Sequence, residues 1–253
     1  MKYLFLSAAL AASALGVQAQ QKPEDTEVWS PVPEVVAAGK NPGDAPADAV
    51  LLFNGTNMDE WQAVTDSTST HKWKLGGDVM TVDKSAGDIC TKRKFTDYQL
   101  HIEYRIPPDI TGEGQGRGNS GIFLAALPWG AGGYELQVLD NYNNKTYVNG
   151  QAGSLYKQTP PLVNVCRKPG EWNYYDVVWT APRFYDDGSL RSAAHVTVLH
   201  NGVLVQNNTT LTGDTPYIGK PSYRKHGPAP IKLQAHGDKS EPISYRNIWV
   251  RPL

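Results

Sequence analysis

The chain has 253 residues, with 24 Lys+Arg against 25 Asp+Glu, a formal net charge of −1. That balance excludes the basic excess on which nucleic-acid binders depend, and 40% hydrophobic residues exclude wholesale disorder. With 19% charged residues beside 24 Gly, 18 Pro, 13 Tyr and 7 Trp, the composition suits short strands joined by turns and excludes helical repeats and coiled coils.

Residues 1–19 read as a secretory signal: Lys2 gives the positive start, an apolar run follows to Gly16, and Val17-Gln18-Ala19 puts small residues at the cleavage positions. The run is too short for a transmembrane anchor, and no later segment approaches about 18 apolar residues. No Cys follows it to carry a lipid. The mature chain is therefore expected in the periplasm or secreted, with no membrane span. Residues 20–49, rich in Pro, Ala, Asp and Glu, read as an extended lead, free or draped over the domain, before a domain at 50–253.

Strand-like runs begin at Val50-Leu51-Leu52-Phe53 and recur at 73–75, 79–82, 98–105, 121–124, 134–139, 174–180, 195–199, 202–206, 231–234 and 243–251. In 98–105, Tyr98, Leu100, Ile102 and Tyr104 share one face, while Gln99, His101, Glu103 and Arg105 share the other. His200-Asn201-Gly202 predicts a tight hairpin. Many antiparallel strands without helical periodicity predict an all-β sandwich of two sheets. Cys90 and Cys166 are the only cysteines, and the sequence leaves a bridge and two free thiols equally open. It also leaves the oligomeric state open.

Three segments carry candidate chemistry. In 134–140, Glu135 and Gln137 share a strand face opposite Tyr134, Leu136 and Val138; Asp140 joins them only across a bulge. A solvated strand face is the plainer reading. Gln234 and His236 share a face by the same spacing, followed by Tyr245-Arg246-Asn247, and a histidine so placed serves as acid, base or metal ligand. The glycine-rich stretch 112–121, around Glu113, Arg117, Asn119 and Ser120, lacks the Lys-Ser/Thr of a phosphate loop and precedes a strand, so it reads as a mobile rim over a cleft. Trp61, Trp73, Trp129, Trp172, Tyr142 and Tyr147 are candidate stacking platforms for sugars, whereas Trp179 and Trp249 read as core.

Leu52-Phe53-Asn54-Gly55 with Trp61, Asn119-Ser120-Gly121-Ile122-Phe123, Tyr134-Glu135-Leu136-Gln137 and Ala152-Gly153-Ser154-Leu155-Tyr156 stand in one order. Gly170-Glu171-Trp172-Asn173, His200-Asn201-Gly202, Leu233-Gln234-Ala235-His236-Gly237 and Tyr245-Arg246-Asn247-Ile248 continue it. Together they resemble the bacterial 3-keto-disaccharide hydrolase domain family, once catalogued as a domain of unknown function, over about residues 50–253. The resemblance implies a concanavalin A-like jelly-roll sandwich whose concave sheet binds an oligosaccharide or a 3-keto-glycoside. A ketone at C3 acidifies the C2 proton, so the C1 substituent can leave by elimination, and hydration of the enone gives net hydrolysis. Such a route needs a base, an acid and a stabiliser of the enolate. Glu135 and His236 are the candidates for base and acid, in either order. Arg246 or a divalent metal would hold the enolate, with His71, Glu135 and His236 as candidate metal ligands. Glu103, Asn119, Gln137, Asp140, Gln234 and Trp129 are candidate substrate contacts.

Two other functions fit the same residues. A conventional glucanase uses E-x-D-x-x-E and wants two carboxyls about 5 Å apart; here the run is Glu135-x-Gln137-x-x-Asp140, with an amide at its centre. A lectin-like binding module would use the same polar cluster without turnover.

Overall fold

The computed structural model describes residues 21–65, 72–129 and 132–253, so the signal-like segment and His71 lie outside the described residues. Chain contacts define two compact units, Met1–Val35 and Val36–Leu253. The described part of the first is one 3-10 turn, Pro23–Thr26, and exposed extended chain.

The second unit is built of strands β1 (Val50–Phe53), β2 (Trp61–Ala63), β3 (Lys74–Gly76), β4 (Val79–Thr81), β5 (Ile89–Thr91), β6 (Tyr98–Arg105), β7 (Ser120–Ala126) and β8 (Gly133–Val138). They are followed by β9 (Trp172–Thr180), β10 (Arg183–Phe184), β11 (Leu190–Ser192), β12 (His195–His200), β13 (Val203–Thr210), β14 (Lys232–Leu233) and β15 (Ser244–Pro252). The larger sheet runs β13-β12-β9-β6-β15-β4-β3, with β1 also on β15; the smaller runs β2-β5-β14-β7-β8. β10 and β11 pair separately. Neighbours in both sheets are antiparallel and mostly distant in sequence, because the chain keeps crossing between them: the expected concanavalin A-like jelly roll.

The alternation in β6 decides what lies between the sheets. Tyr98, Leu100, Ile102 and Tyr104 are fully buried, as are Leu136 and Val138 of β8 and Trp179 of β9. Burying a phenol is tolerable only if its hydroxyl is bonded, and these hydroxyls bond across the core. Tyr98 donates to the Leu124 carbonyl (2.6 Å), Tyr175 to that of Gln137 (2.9 Å), and Tyr245 shares a bond with Ser120 Oγ (2.7 Å). Asn201 and Gly202 take φ of 52° and 79°, the positive pair that a two-residue turn between β12 and β13 requires.

Residues 36–49 of the lead lie in the same compact unit as the sandwich. The Gly43 carbonyl accepts from Asn247 Nδ2 (3.0 Å) and Trp249 Nε1 (2.9 Å), and Asp48 pairs with Arg251 at 2.6 Å. Trp61 and Trp73 are 1% and 4% exposed, so they are core and not sugar platforms. Cys90, in β5, and Cys166, ahead of β9, are unpaired. No described helix is long and apolar enough to cross a membrane.

Candidate active site

β8 is the last strand of the smaller sheet, and its pleat turns Glu135 and Gln137 away from the core. Gly153–Tyr156 seals its free edge: Gln137 N donates to the Ser154 carbonyl, while Gly153 N and Tyr156 N donate to the carbonyls of Gln137 and Glu135. On the next strand, Phe123 stands opposite Glu135 and Gly121 opposite Gln137. One strand further, Lys232 stands opposite Phe123, and Gln234 N donates to the Gly121 carbonyl. Gly121 is the gap in this floor. A Cβ there would stand on Glu135 Oε1, so the carboxyl lies over β7 only because residue 121 has no side chain.

The result is a cavity of about 170 Å³ with Glu135, Gln137, Asn119, Gln234 and His236 in its lining, closed by Phe123, Tyr156, Thr215 and Tyr217. A wider groove of about 620 Å³ shares Asn119, Tyr156, Tyr217 and His236 with it and adds Gln115, Gly116, Tyr147 and Lys157. The glycine-rich stretch thus forms the expected rim, where Gln115 Nε2 donates to the Gly150 carbonyl (2.8 Å). Lys157, at φ 57°, lies over the Tyr217 ring at 4.1 Å from its centroid.

Two titratable groups in this cavity differ in character. Burial pushes the Glu135 carboxyl up to about 8, the positive charge of Lys232 opposing and the negative charge of Asp88 assisting. No hydrogen bond among the described residues reaches that carboxyl. His236 Nδ1 instead pairs with Asp238 Oδ2 at 2.8 Å, which leaves Nε2 for the cavity. Burial would raise Asp238, but hydrogen bonds from His236, Lys84 and Ser240 outweigh it and hold the carboxyl well below its usual range. Asp238 is therefore ionised and fixes the orientation of the His236 ring through Nδ1. Gln234 Oε1 is buried without a hydrogen-bond partner. Gln137 donates to Asn119 Oδ1 (2.8 Å), and Asn119 donates to the Gln115 carbonyl (2.8 Å).

Glu135, His236, Asn119, Gln137 and Gln234 come together as expected, although His236 lies in the loop beyond β14 and not on a strand. Four other candidates do not join them. Arg246 and Glu103 lie on the outer face of the larger sheet, bonded to each other (Nε to Oε2, 2.6 Å), so Arg246 is not positioned to hold an enolate in the Glu135 cavity. Asp140 lies past the end of β8, 1% exposed, paired with Arg117 at 2.7 Å and outside the cavity lining. No bulge returns it to the face of Glu135. Trp129 sits in the turn between β7 and β8, where its carbonyl accepts from Gly132 N, and it lines neither cavity nor groove. Of the metal candidates, Glu135 and His236 share the cavity while His71 lies outside the described residues. Among the described residues no three His, Cys, Asp or Glu side chains gather as a metal site. Sequence reasoning missed Asp238, two residues after His236, and the tyrosine wall formed by Tyr156 and Tyr217. The short His-x-Asp spacing was the available signal for the first.

A polar cavity on one face of a jelly roll, with a buried acid beside a carboxylate-held histidine, is the apparatus of a carbohydrate-active protein. The family model described as the 3-keto-alpha-glucoside-1,2-lyase-like domain matches residues 48–251, and the chain belongs to that family. A candidate glycosyl hydrolase from Parabacteroides distasonis is 52% identical, with a TM-score of 0.84 over 92% of this chain and 97% of that one. Two further candidate glycosyl hydrolases from the same organism share the fold at TM-score 0.58. They are 21% and 22% identical over 81% of this chain, and over 94% and 99% of their own lengths. No curated protein matches the chain.

Proposed function

We propose that the chain cleaves 3-keto-glycosides by elimination at C1 and C2 followed by hydration, in the cavity shared by Glu135 and His236. The pairing of a buried neutral carboxyl with a histidine held by an ionised aspartate carries this reading. It also favours one order for the acid and base. A carboxyl that stays protonated to about pH 8 is suited to donate, so Glu135 protonates the departing glycosidic oxygen. His236 Nε2 takes the C2 proton; the electron pair of that C–H bond forms the enolate, whose collapse makes the C1–C2 double bond as the C1–O bond breaks. Gln234 Oε1 is buried without a partner in the cavity and accepts from a substrate hydroxyl. Water then adds across the double bond, its oxygen to C1 and a proton returning to C2. Gln137, Asn119 and Tyr156 position the ring. The signal-like residues 1–19 support export to the periplasm or beyond, which the N-terminal sequence of the mature protein tests.

Purified protein is incubated with a 3-keto-disaccharide and with its unoxidised parent, with and without EDTA. Release of free sugar from the ketone alone is expected. Cleavage of the parent would replace this reading with a conventional glycosidase, and binding without cleavage of either would replace it with a lectin.

A further inference from the structure

The outer face of the larger sheet carries a second cavity, of about 270 Å³, that the chemistry above does not use. β6, β9 and β15 lie side by side there, and Arg246, in β15, and Arg167, ahead of β9, line the cavity with Trp172 and Tyr174. Arg105 and Arg246 lie over Trp172, at 4.6 and 4.2 Å from the ring centroid, and Arg167 lies over Tyr174 at 5.8 Å. A guanidinium stacked on a ring keeps its N–H edge free for a carboxylate or sulfate. That edge is spent in part for two of them: Arg246 Nε on Glu103, and Arg167 Nη1 on the Trp172 carbonyl. Arg105 has no hydrogen bond or ion pair with any described residue.

Beneath them His101 is 2% exposed, with Nδ1 on Asp176 (2.7 Å) and Nε2 without a hydrogen-bond partner. Burial would lower its affinity for a proton, but Asp176 and Glu103 outweigh that and push it up to about 9, so it is cationic at neutral pH. Arg167, Arg246 and this histidine thus face two carboxylates in the lining, Glu103 and Asp176; Asp78 comes only within 4.0 Å of Arg246. Glu103 is already saturated by Arg246 and Asn247 Nδ2 (2.9 Å). Asp176, whose side chain is 35% exposed, keeps an oxygen for a ligand hydroxyl.

We propose that this face is a second binding site, separate from the Glu135 cavity, for a sugar ring carrying an oxyanion, either a uronic acid or a sulfated sugar. Excess positive charge with preorganised guanidinium edges selects the anion. The aromatic walls and the free carboxylate oxygen of Asp176 select a hydroxylated ring over a bare ion.

Isothermal titration of the whole protein with methyl glucuronide, glucose 6-sulfate, methyl glucoside and sodium sulfate tests this, beside Arg167→Gln and Glu135→Gln variants whose circular dichroism matches the parent's. At least one of the two charged sugars is expected to bind one-to-one and to weaken with added salt. Affinity should fall about tenfold or more in Arg167→Gln, the loss of one charged hydrogen bond, and hold in Glu135→Gln. The proposal is overturned if neither charged sugar binds, if methyl glucoside or sodium sulfate binds as tightly, or if Glu135→Gln loses binding that Arg167→Gln keeps.

Discussion

At residue scale Glu135 is a buried carboxyl that burial works against. Its carboxyl ionises near 4.5 in an unfolded chain and at about 8 in the folded one. Because the folded value is raised, its contribution to stability is complete below pH 4.5, declines as pH rises, and is fully lost above about 8. Glu135→Gln keeps the shape and removes the charge. We expect this variant to lose about 10²–10⁴-fold in turnover of a 3-keto-glycoside, the usual worth of a general acid. Over the same alkaline climb its Tm should rise relative to the parent, by several degrees at pH 8–9. Calorimetry at pH 4 and pH 9 beside a rate assay measures both; equal Tm differences at the two pH values would mean that Glu135 is not held neutral by burial. His200 shows the opposite solution to the same problem. Buried against Tyr104, which it meets at 3.0 Å, it is driven down to about 3 by burial and by the charge of Arg167, and stays neutral.

At element scale the smaller sheet works as a floor whose relief is set strand by strand. Phe123 and Lys232 stand up from it, the ammonium 3.6 Å above the ring centroid, and Gly121 is the depression into which Glu135 leans. Gly121→Ala is expected to displace the Glu135 carboxyl, reducing turnover at least tenfold and destabilising the fold by about 1–3 kcal/mol, as overpacking does. In a Glu135→Ala background the stability cost should largely vanish, since the three atoms nearest the added Cβ all belong to the Glu135 side chain. A double-mutant cycle by chemical denaturation reads that coupling, and additive costs would contradict the contact. These elements were legible in the sequence to different degrees. β6 shows its period of two over eight residues, and the sequence reading placed both of its ends as found. β2, β5, β10 and β11 have two or three residues each, too few to display a period, and all four went unread.

For the whole molecule, alternation identifies which side chains leave the core, but it does not say from which of the two sheets they leave. Glu135 and Glu103 both alternate correctly, and the sequence reading put them at one site with Arg246. Pairing of β15 with β6, not visible in any local pattern, carries Glu103 and Arg246 to the other side. Gln137, Asn119, Gln234 and His236 were grouped correctly because the residues around them follow the family's order of motifs. The partners of the lead were not legible in the sequence for a related reason. Residues 36–49 have no periodicity, yet Gly43 covers Trp249 and caps His101 through its backbone. A chain starting at Val50 is expected to melt about 5–10 °C below one starting at Val36. That is the effect of about two or three lost hydrogen bonds and the exposure of Trp249 in a domain of this size.

The strip Gly153–Tyr156 has a consequence outside the chemistry. β8 would otherwise be a bare sheet edge, the kind of surface on which a second chain can lay a strand. Its carbonyls at 135 and 137 and its amide at 137 are already taken by this strip, and the amide of Glu135 by Thr215 Oγ1 at 3.0 Å. The same loop that supplies Tyr156 to the cavity therefore protects the protein against self-association. A lesion that loosens it removes activity and solubility together, so an inactive variant there belongs first in a sedimentation assay, before its kinetics are read as chemistry.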